Sequence, residues 1–154
     1  MTIISNNKST AEKIVIYTDG ACSGNPGKGG WDAILMYNQH SKEISGAQSH
    51  ATNNQMELKA VIEALKIIKK SHVIEIYTDS KYVMDGITKW VNSWQKNNWL
   101  TADKKPVKNI DLWKELLDLT SNHQISWHWV RGHSGDKYNE IVDKLARNAI
   151  SSIK

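Results

Sequence analysis

Cysteine is nearly absent from this chain: Cys22 is the single thiol in 154 residues. One thiol excludes an internal disulfide and any zinc site built from several thiolates, and it suits a reducing compartment. Proline is scarce, with only Pro26 and Pro106, and both fall in loop-like stretches. No linker, low-complexity tract or shift in composition divides the sequence. Long apolar runs are missing as well. Nothing approaches the ~20 residues of a membrane helix, and residues 1–8 hold no apolar core of signal-peptide length. The expectation is a cytoplasmic monomer with no membrane attachment. It would consist of a flexible N-terminal segment over 1–12 and one domain over 13–154. Phenylalanine is absent, yet tryptophan occurs 7 times, so the placement of the indole rings carries information. The formal charge of +4 permits a polyanionic partner.

The remaining pattern alternates strands and helices. Ile14-Val15-Ile16-Tyr17-Thr18 is apolar, β-branched and aromatic, which predicts a buried strand over about 13–20. A glycine-dense turn over 23–30 follows, without the spacing of a nucleotide-binding loop. Further strands are predicted over 31–37 and about 43–50, completing an antiparallel meander. A helix should open at Thr52 or a neighbouring Asn and run to about Lys70, with Ala60, Val61, Ala64, Leu65 and Ile68 as its apolar stripe. A strand over 73–78 precedes a short helix capped by Ser80. A helix capped by Asn109 comes next, then a strand over 125–130 and a closing helix over about 139–152. Trp90 and Trp94 share a helix face in the chain's one stretch of interleaved tryptophans and lysines.

Four acids stand out against this frame. The phrase Tyr17-Thr18-Asp19 ends the first strand and returns as Tyr77-Thr78-Asp79 at the end of the fourth. Either aspartate alone is an ordinary turn former or cap, but two such strands can set their carboxylates side by side at one sheet edge. Glu57 lies on the core-facing stripe of its helix. The helix dipole accounts for an acid near a helix start but not for one that faces inward. Asp143 is expected in the first turn of the closing helix, at the border of its apolar side. Carboxylates this close repel unless a cation lies among them. An all-oxygen donor set suits magnesium or manganese rather than zinc. Two such ions can clamp the attacking and leaving oxygens of a phosphoryl transfer, and the Trp–Lys stretch would grip a nucleic-acid backbone.

In order along the chain stand Tyr17-Thr18-Asp19-Gly20 with Cys22-Ser23-Gly24-Asn25-Pro26-Gly27, Thr52-Asn53-Asn54-Gln55-Met56-Glu57-Leu58, Tyr77-Thr78-Asp79-Ser80, residues 99–109, Val130-Arg131-Gly132-His133-Ser134-Gly135 and residues 139–146. Together they resemble type 1 ribonucleases H of the bacterial kind over about 13–150. The resemblance implies an α/β fold whose five-stranded mixed sheet, in the order 3-2-1-4-5, is flanked by helices. It implies cleavage of the RNA strand of an RNA–DNA hybrid to 5′-phosphate and 3′-hydroxyl ends, during removal of primers and hybrids in DNA replication and repair. Asp19, Glu57, Asp79 and Asp143 match the ligands of two Mg²⁺ ions, for which Mn²⁺ can substitute, with Asp19 bridging them. His133 matches a loop histidine that moves a proton or helps release product. Asn25, Asn53 and Gln55 match amides that read the RNA 2′-hydroxyls. Thr52 and Asn109 match a pocket for a DNA-strand phosphate, and Trp90 and Trp94 match the channel along which that strand runs.

This sequence departs from the family pattern at His50, Lys81 and the pair Trp31-Asp32, none of which removes a matched ligand. A non-catalytic hybrid-binding module is the alternative from another class, and a missing acid would favour it. All four are present.

Overall fold

The computed structural model describes residues 13–131 and 136–153. The N-terminal segment over 1–12 and His133 lie outside the described residues. Five strands, β1 (Ile14–Ser23), β2 (Gly27–Tyr37), β3 (His40–Ala51), β4 (Val73–Thr78) and β5 (Gln124–Trp129), form one sheet in the order β3-β2-β1-β4-β5. The pairs β1–β2 and β2–β3 are antiparallel, and β1–β4 and β4–β5 are parallel. The change of sense follows from the connections. Tight turns join the first three strands, whereas the crossover to β4 passes through helix α1 (Asn53–Lys66). After β4 come the short helix α2 (Lys81–Asp85), a π-type turn over Gly86–Trp90, α3 (Val91–Lys96), α4 (Ile110–Thr120) and, beyond β5, α5 (Lys137–Ile150). No helix among the described residues is long and apolar enough to cross a membrane.

The register explains the echoed phrase. Tyr17 pairs with Tyr77 and Thr18 with Thr78. Asp19 and Asp79 therefore follow one step further on, at the same end of adjacent parallel strands, which lie about 4.8 Å apart.

Helix α1 starts as expected. The Thr52 side chain accepts from the Gln55 N–H, and the Gln55 side chain accepts from the Thr52 N–H, forming a reciprocal cap. It ends at Lys66 rather than Lys70. The Ile68 N–H turns back onto the Leu65 carbonyl, and Ile68 still packs on the core, so the apolar spacing continues past the helix end. The buried face includes Met56, Leu58 and Ile62 besides the expected stripe, because α1 is packed between the sheet and α4.

The glycine-dense stretch is mostly strand. Only residues 24–26 turn, and β2 begins at Gly27. Gly30 is needed for close approach: a Cβ there would sit 2.4 Å from the Ala146 carbonyl oxygen of α5. Helix α5 begins earlier than expected, with Asp136 capping the Asn139 N–H. Asp143 consequently lies in the second turn of that helix, not the first. Asn109 stands at the start of α4 but makes no side-chain capping bond. It adopts a left-handed conformation at φ 59°, and its amide is engaged elsewhere.

One buried group opposes the fold. Asp32 on β2 is fully buried and neither of its oxygens receives a donor. The group beside it is the Glu43 carboxyl, diagonal to it on β3, and two carboxyls can hydrogen-bond only by holding a proton. Burial first, then Glu43, pushes the Asp32 carboxyl up to about 9. An unfolded aspartate titrates near ~3.9, so folding must take up a proton above that pH, and the cost grows until about pH 9. Asp32→Asn is therefore expected to match the parent's melting temperature near pH 4 and exceed it at pH 8. Thermal melts at the two pH values check this. An equal gap at both would assign the effect to packing instead.

Candidate active site

Asp19 leaves the sheet at the end of the apolar run of β1, and Asp79 leaves at the end of β4. Glu57 reaches them from the first turns of α1. Asp19 and Glu57 are only 2% and 5% exposed. Oxygen atoms of Asp19, Glu57 and Asp79 all lie within 4.8 Å of one another. Asp143 approaches from α5: its carboxyl hydrogen-bonds with that of Asp19, and it forms an ion pair of 3.1 Å with Arg147. Asp143 thus stands against the compact trio rather than within it.

The surroundings hold the three carboxylates without neutralising them. The Gly20 N–H donates to Glu57, and the side chain of buried Asn139 bonds Asp79. Trp129 Nε1 donates to the Asp79 carbonyl at 3.2 Å. One Glu57 oxygen, Oε1, is buried with no partner. Burial, with the Glu57 and Asp79 charges, pushes the Asp19 carboxyl up to about 11. Burial and Asp79 raise Glu57 well above the carboxylate range, and burial and Asp143 raise Asp79. A nest of carboxyls that are all pushed above their usual range, with an orphaned buried oxygen, fits a divalent cation. Such an ion replaces the protons and satisfies the free oxygen.

At the start of α1 is a cleft of about 430 Å³ lined by Asn25, Thr52, Asn54, Gln55, Lys108 and Asn109. Asn25 Oδ1 accepts the Asn53 N–H at 3.0 Å, tying the β1–β2 turn to the start of α1. Gln55 Nε2 donates to Asn109 Oδ1 at 3.2 Å, so Gln55 lies with Thr52 and Asn109. Sequence reasoning does not single out Asn54, and it has Lys108 only at the end of the Trp–Lys stretch, not in this cleft. Each adjoins a residue it does assign, and that adjacency is the only signal available.

The tryptophans divide their tasks. Trp113 is fully buried, while Trp90 is 37% exposed. Trp94 links them, with ring centroids 5.9 Å from Trp90 and 5.5 Å from Trp113. One indole is core and another presents a surface. Lys81, the added charge beside the site, lies 4.4 Å over the exposed Trp129 ring.

A family model for ribonuclease H matches residues 11–151. The chain belongs to the ribonuclease H family. Family membership makes it a nuclease of the hydrolase class. It is 62% identical over 144 residues to the ribonuclease H of Zymomonas mobilis, covering 93% of this chain and 92% of that relative. It is 57% identical over 139 residues to the ribonuclease H of Wolbachia pipientis, covering 90% and 96%. Among solved structures, LC9-RNase H1, described as a type 1 ribonuclease H with the type 2 active-site motif, superposes with a TM-score of 0.84 at 29% identity. That match covers 94% of this chain and 74% of the other. A foamy viral protease–reverse transcriptase in complex with an RNA/DNA hybrid superposes with a TM-score of 0.74 at 25% identity, over 93% of this chain and 20% of that one.

Proposed function

We propose that this chain hydrolyses the RNA strand of RNA–DNA hybrids, giving 5′-phosphate and 3′-hydroxyl products, with two divalent cations held by Asp19, Glu57, Asp79 and Asp143. The observation that carries the reading is the convergence of three carboxylates within 4.8 Å, two of them buried, with one Glu57 oxygen unpaired. The hybrid bound by the foamy viral relative supports the choice of substrate. Magnesium, or manganese in its place, would lower the pKa of the attacking water and stabilise charge on the leaving oxygen.

The chain's own residues do the rest. Asp19, on β1 with Asp79 and Asp143 against it, would hold both ions. Gly20 and Asn139 keep the acids oriented. Asn25, Asn53 and Gln55 offer amides to the RNA 2′-hydroxyls. Thr52 and Asn109 seat a phosphate of the DNA strand, which runs along Trp90 and Trp94. Recognition then depends on sugar and shape, with little reading of bases. His133 accepts or passes on a proton. The setting is removal of primers and stray hybrids during DNA replication and repair, by a cytoplasmic monomer.

Incubation with Mg²⁺ and a labelled hybrid tests the reading, with duplex RNA and duplex DNA as controls. The expected result is cleavage of the hybrid's RNA strand alone, abolished by a chelator. Inertness toward hybrid with either metal would overturn it. The surface supplied by Lys96, Lys104 and Lys105, all exposed, gives a further prediction. Replacing these three with neutral residues should flatten the dependence of hybrid affinity on salt, by about 0.9 in log–log slope for each phosphate no longer neutralised. A titration that shows the parental slope would remove the Trp–Lys stretch from the interface.

A further inference from the structure

The hydroxyl of Tyr82, on α2, is where two donors meet. Asn109 Nδ2 donates to it at 3.1 Å and Trp113 Nε1 at 3.0 Å. From there a single chain of hydrogen bonds runs to the start of α1: Asn109 Oδ1 accepts from Gln55 Nε2, and Gln55 Oε1 accepts from the Thr52 backbone N–H. Both ends of this chain are groups that can only donate, an amide N–H and an indole N–H. The Thr52 N–H requires the Gln55 oxygen, which turns the Gln55 NH₂ to Asn109. That NH₂ requires the Asn109 oxygen, which turns the Asn109 NH₂ to Tyr82. The indole of fully buried Trp113 arrives from the other side. The Tyr82 hydroxyl oxygen has two lone pairs and ends both converging donor runs, while its own proton stays spare.

The consequence lies in what remains unbonded. Gln55 and Asn109 each retain one N–H, the Thr52 hydroxyl has its oxygen used by the Gln55 N–H and keeps its proton, and Lys108 brings an ammonium to the same cleft. Each of these four groups offers a donor to the cleft. Such a lining favours an anion over a neutral acceptor. The left-handed backbone of Asn109, at φ 59°, holds this amide in the cleft.

We propose that Tyr82 is a positioning residue that locks Asn109 and Gln55 with their donors outward, so that the cleft selects a charged phosphodiester of the DNA strand. The proposal rests on the phosphate-pocket reading given above. Tyr82→Phe removes the oxygen on which both runs end and frees Asn109 to rotate. The expected result is a rise of about tenfold in KM for hybrid, the size of one charge-assisted hydrogen bond, with kcat changed less than twofold. The paired substrates are hybrids whose DNA phosphates are replaced, one at a time, by uncharged methylphosphonates. In the parent, one register should raise KM strongly, and in Tyr82→Phe that sensitivity should largely vanish.

A parent indifferent to charge removal at every register would overturn the pocket reading and this proposal with it. A sensitive parent with an equally sensitive, unchanged Tyr82→Phe would overturn the role of Tyr82 alone. Amide NMR of the unmutated protein gives an independent measurement should the variant fail to fold. Side-chain signals of Asn109 and Gln55 dispersed away from the free-amide position support the lock, and averaged, solvent-like signals refute it.

Discussion

Asp19→Asn should abolish hybrid cleavage while leaving a folded protein that, free of metal, melts at a higher temperature than its parent at pH 8. The loss follows from the position of Asp19. Its oxygens belong to the trio, and its carboxyl also bonds Asp143, so one substitution removes the group that touches every other acid of the proposed site. Losing about 4 kcal/mol of transition-state stabilisation slows turnover by about a thousandfold. The stability gain has a separate cause and a definite sign. The Asp19 carboxyl titrates at about 11 in the folded protein and near ~3.9 when unfolded. Folding therefore binds a proton, and the stability linked to it is complete below about pH 4 and is lost as pH rises toward 11. Asparagine carries no such liability, so the decline between pH 5 and pH 9 should be shallower in the variant. Mg²⁺ should raise the parent's melting temperature more at pH 9 than at pH 5, since fewer protons compete with it for the carboxylates at the higher pH, and should do much less for the variant. Single-turnover cleavage and thermal melts with and without Mg²⁺ measure both effects. An Asp19→Asn variant that cleaves hybrid at the parental rate would remove Asp19 from the chemistry.

Gly20→Ala is expected to damage stability and activity together. A Cβ on residue 20 would lie 2.4 Å from the Met56 carbonyl carbon and 2.5 Å from the Glu57 nitrogen. Both are backbone atoms of α1, so no rotamer change relieves the clash, and the helix start must move off β1. Overpacking of this kind costs about 1–3 kcal/mol, or about 3–10 °C in melting temperature for a chain of this size. The same shift carries Glu57 away from Asp19 and breaks its bond from the Gly20 N–H. Misplacement of about 1 Å costs about a hundredfold in rate. Melting curves and steady-state kinetics on the same preparation check the pair of effects. A variant that is destabilised but fully active at low temperature would show that the nest tolerates movement of α1.

How much of this is legible in the sequence differs from residue to residue. The strand over 73–78 and the Thr52 and Ser80 caps are readable because each depends on neighbours a few positions away. The echoed Tyr-Thr-Asp is readable as a pair of sheet-edge acids, and in the parallel register Asp19 and Asp79 do leave side by side. Glu57 is legible as an acid on an apolar stripe. The sequence pattern puts Asp143 one turn too early because Asp136, shortly before the predicted helix opening, is the actual cap. Asn109 looks like a cap from its position. It forms none because Tyr82 and Gln55 compete for its amide across 27 and 54 residues of sequence.

By itself, the sequence determined the alternation of strand and helix, the four acids and the exclusion of an internal disulfide. These properties are set by side-chain type and by spacing along the chain. Only the tertiary structure decided that Asp32 is buried beside Glu43, that Asp143 stands against the trio rather than inside it, and that one tyrosine oxygen orients the amides of the cleft. Those outcomes depend on which distant groups share a volume from which water is excluded, where a missing donor or an extra charge is no longer screened.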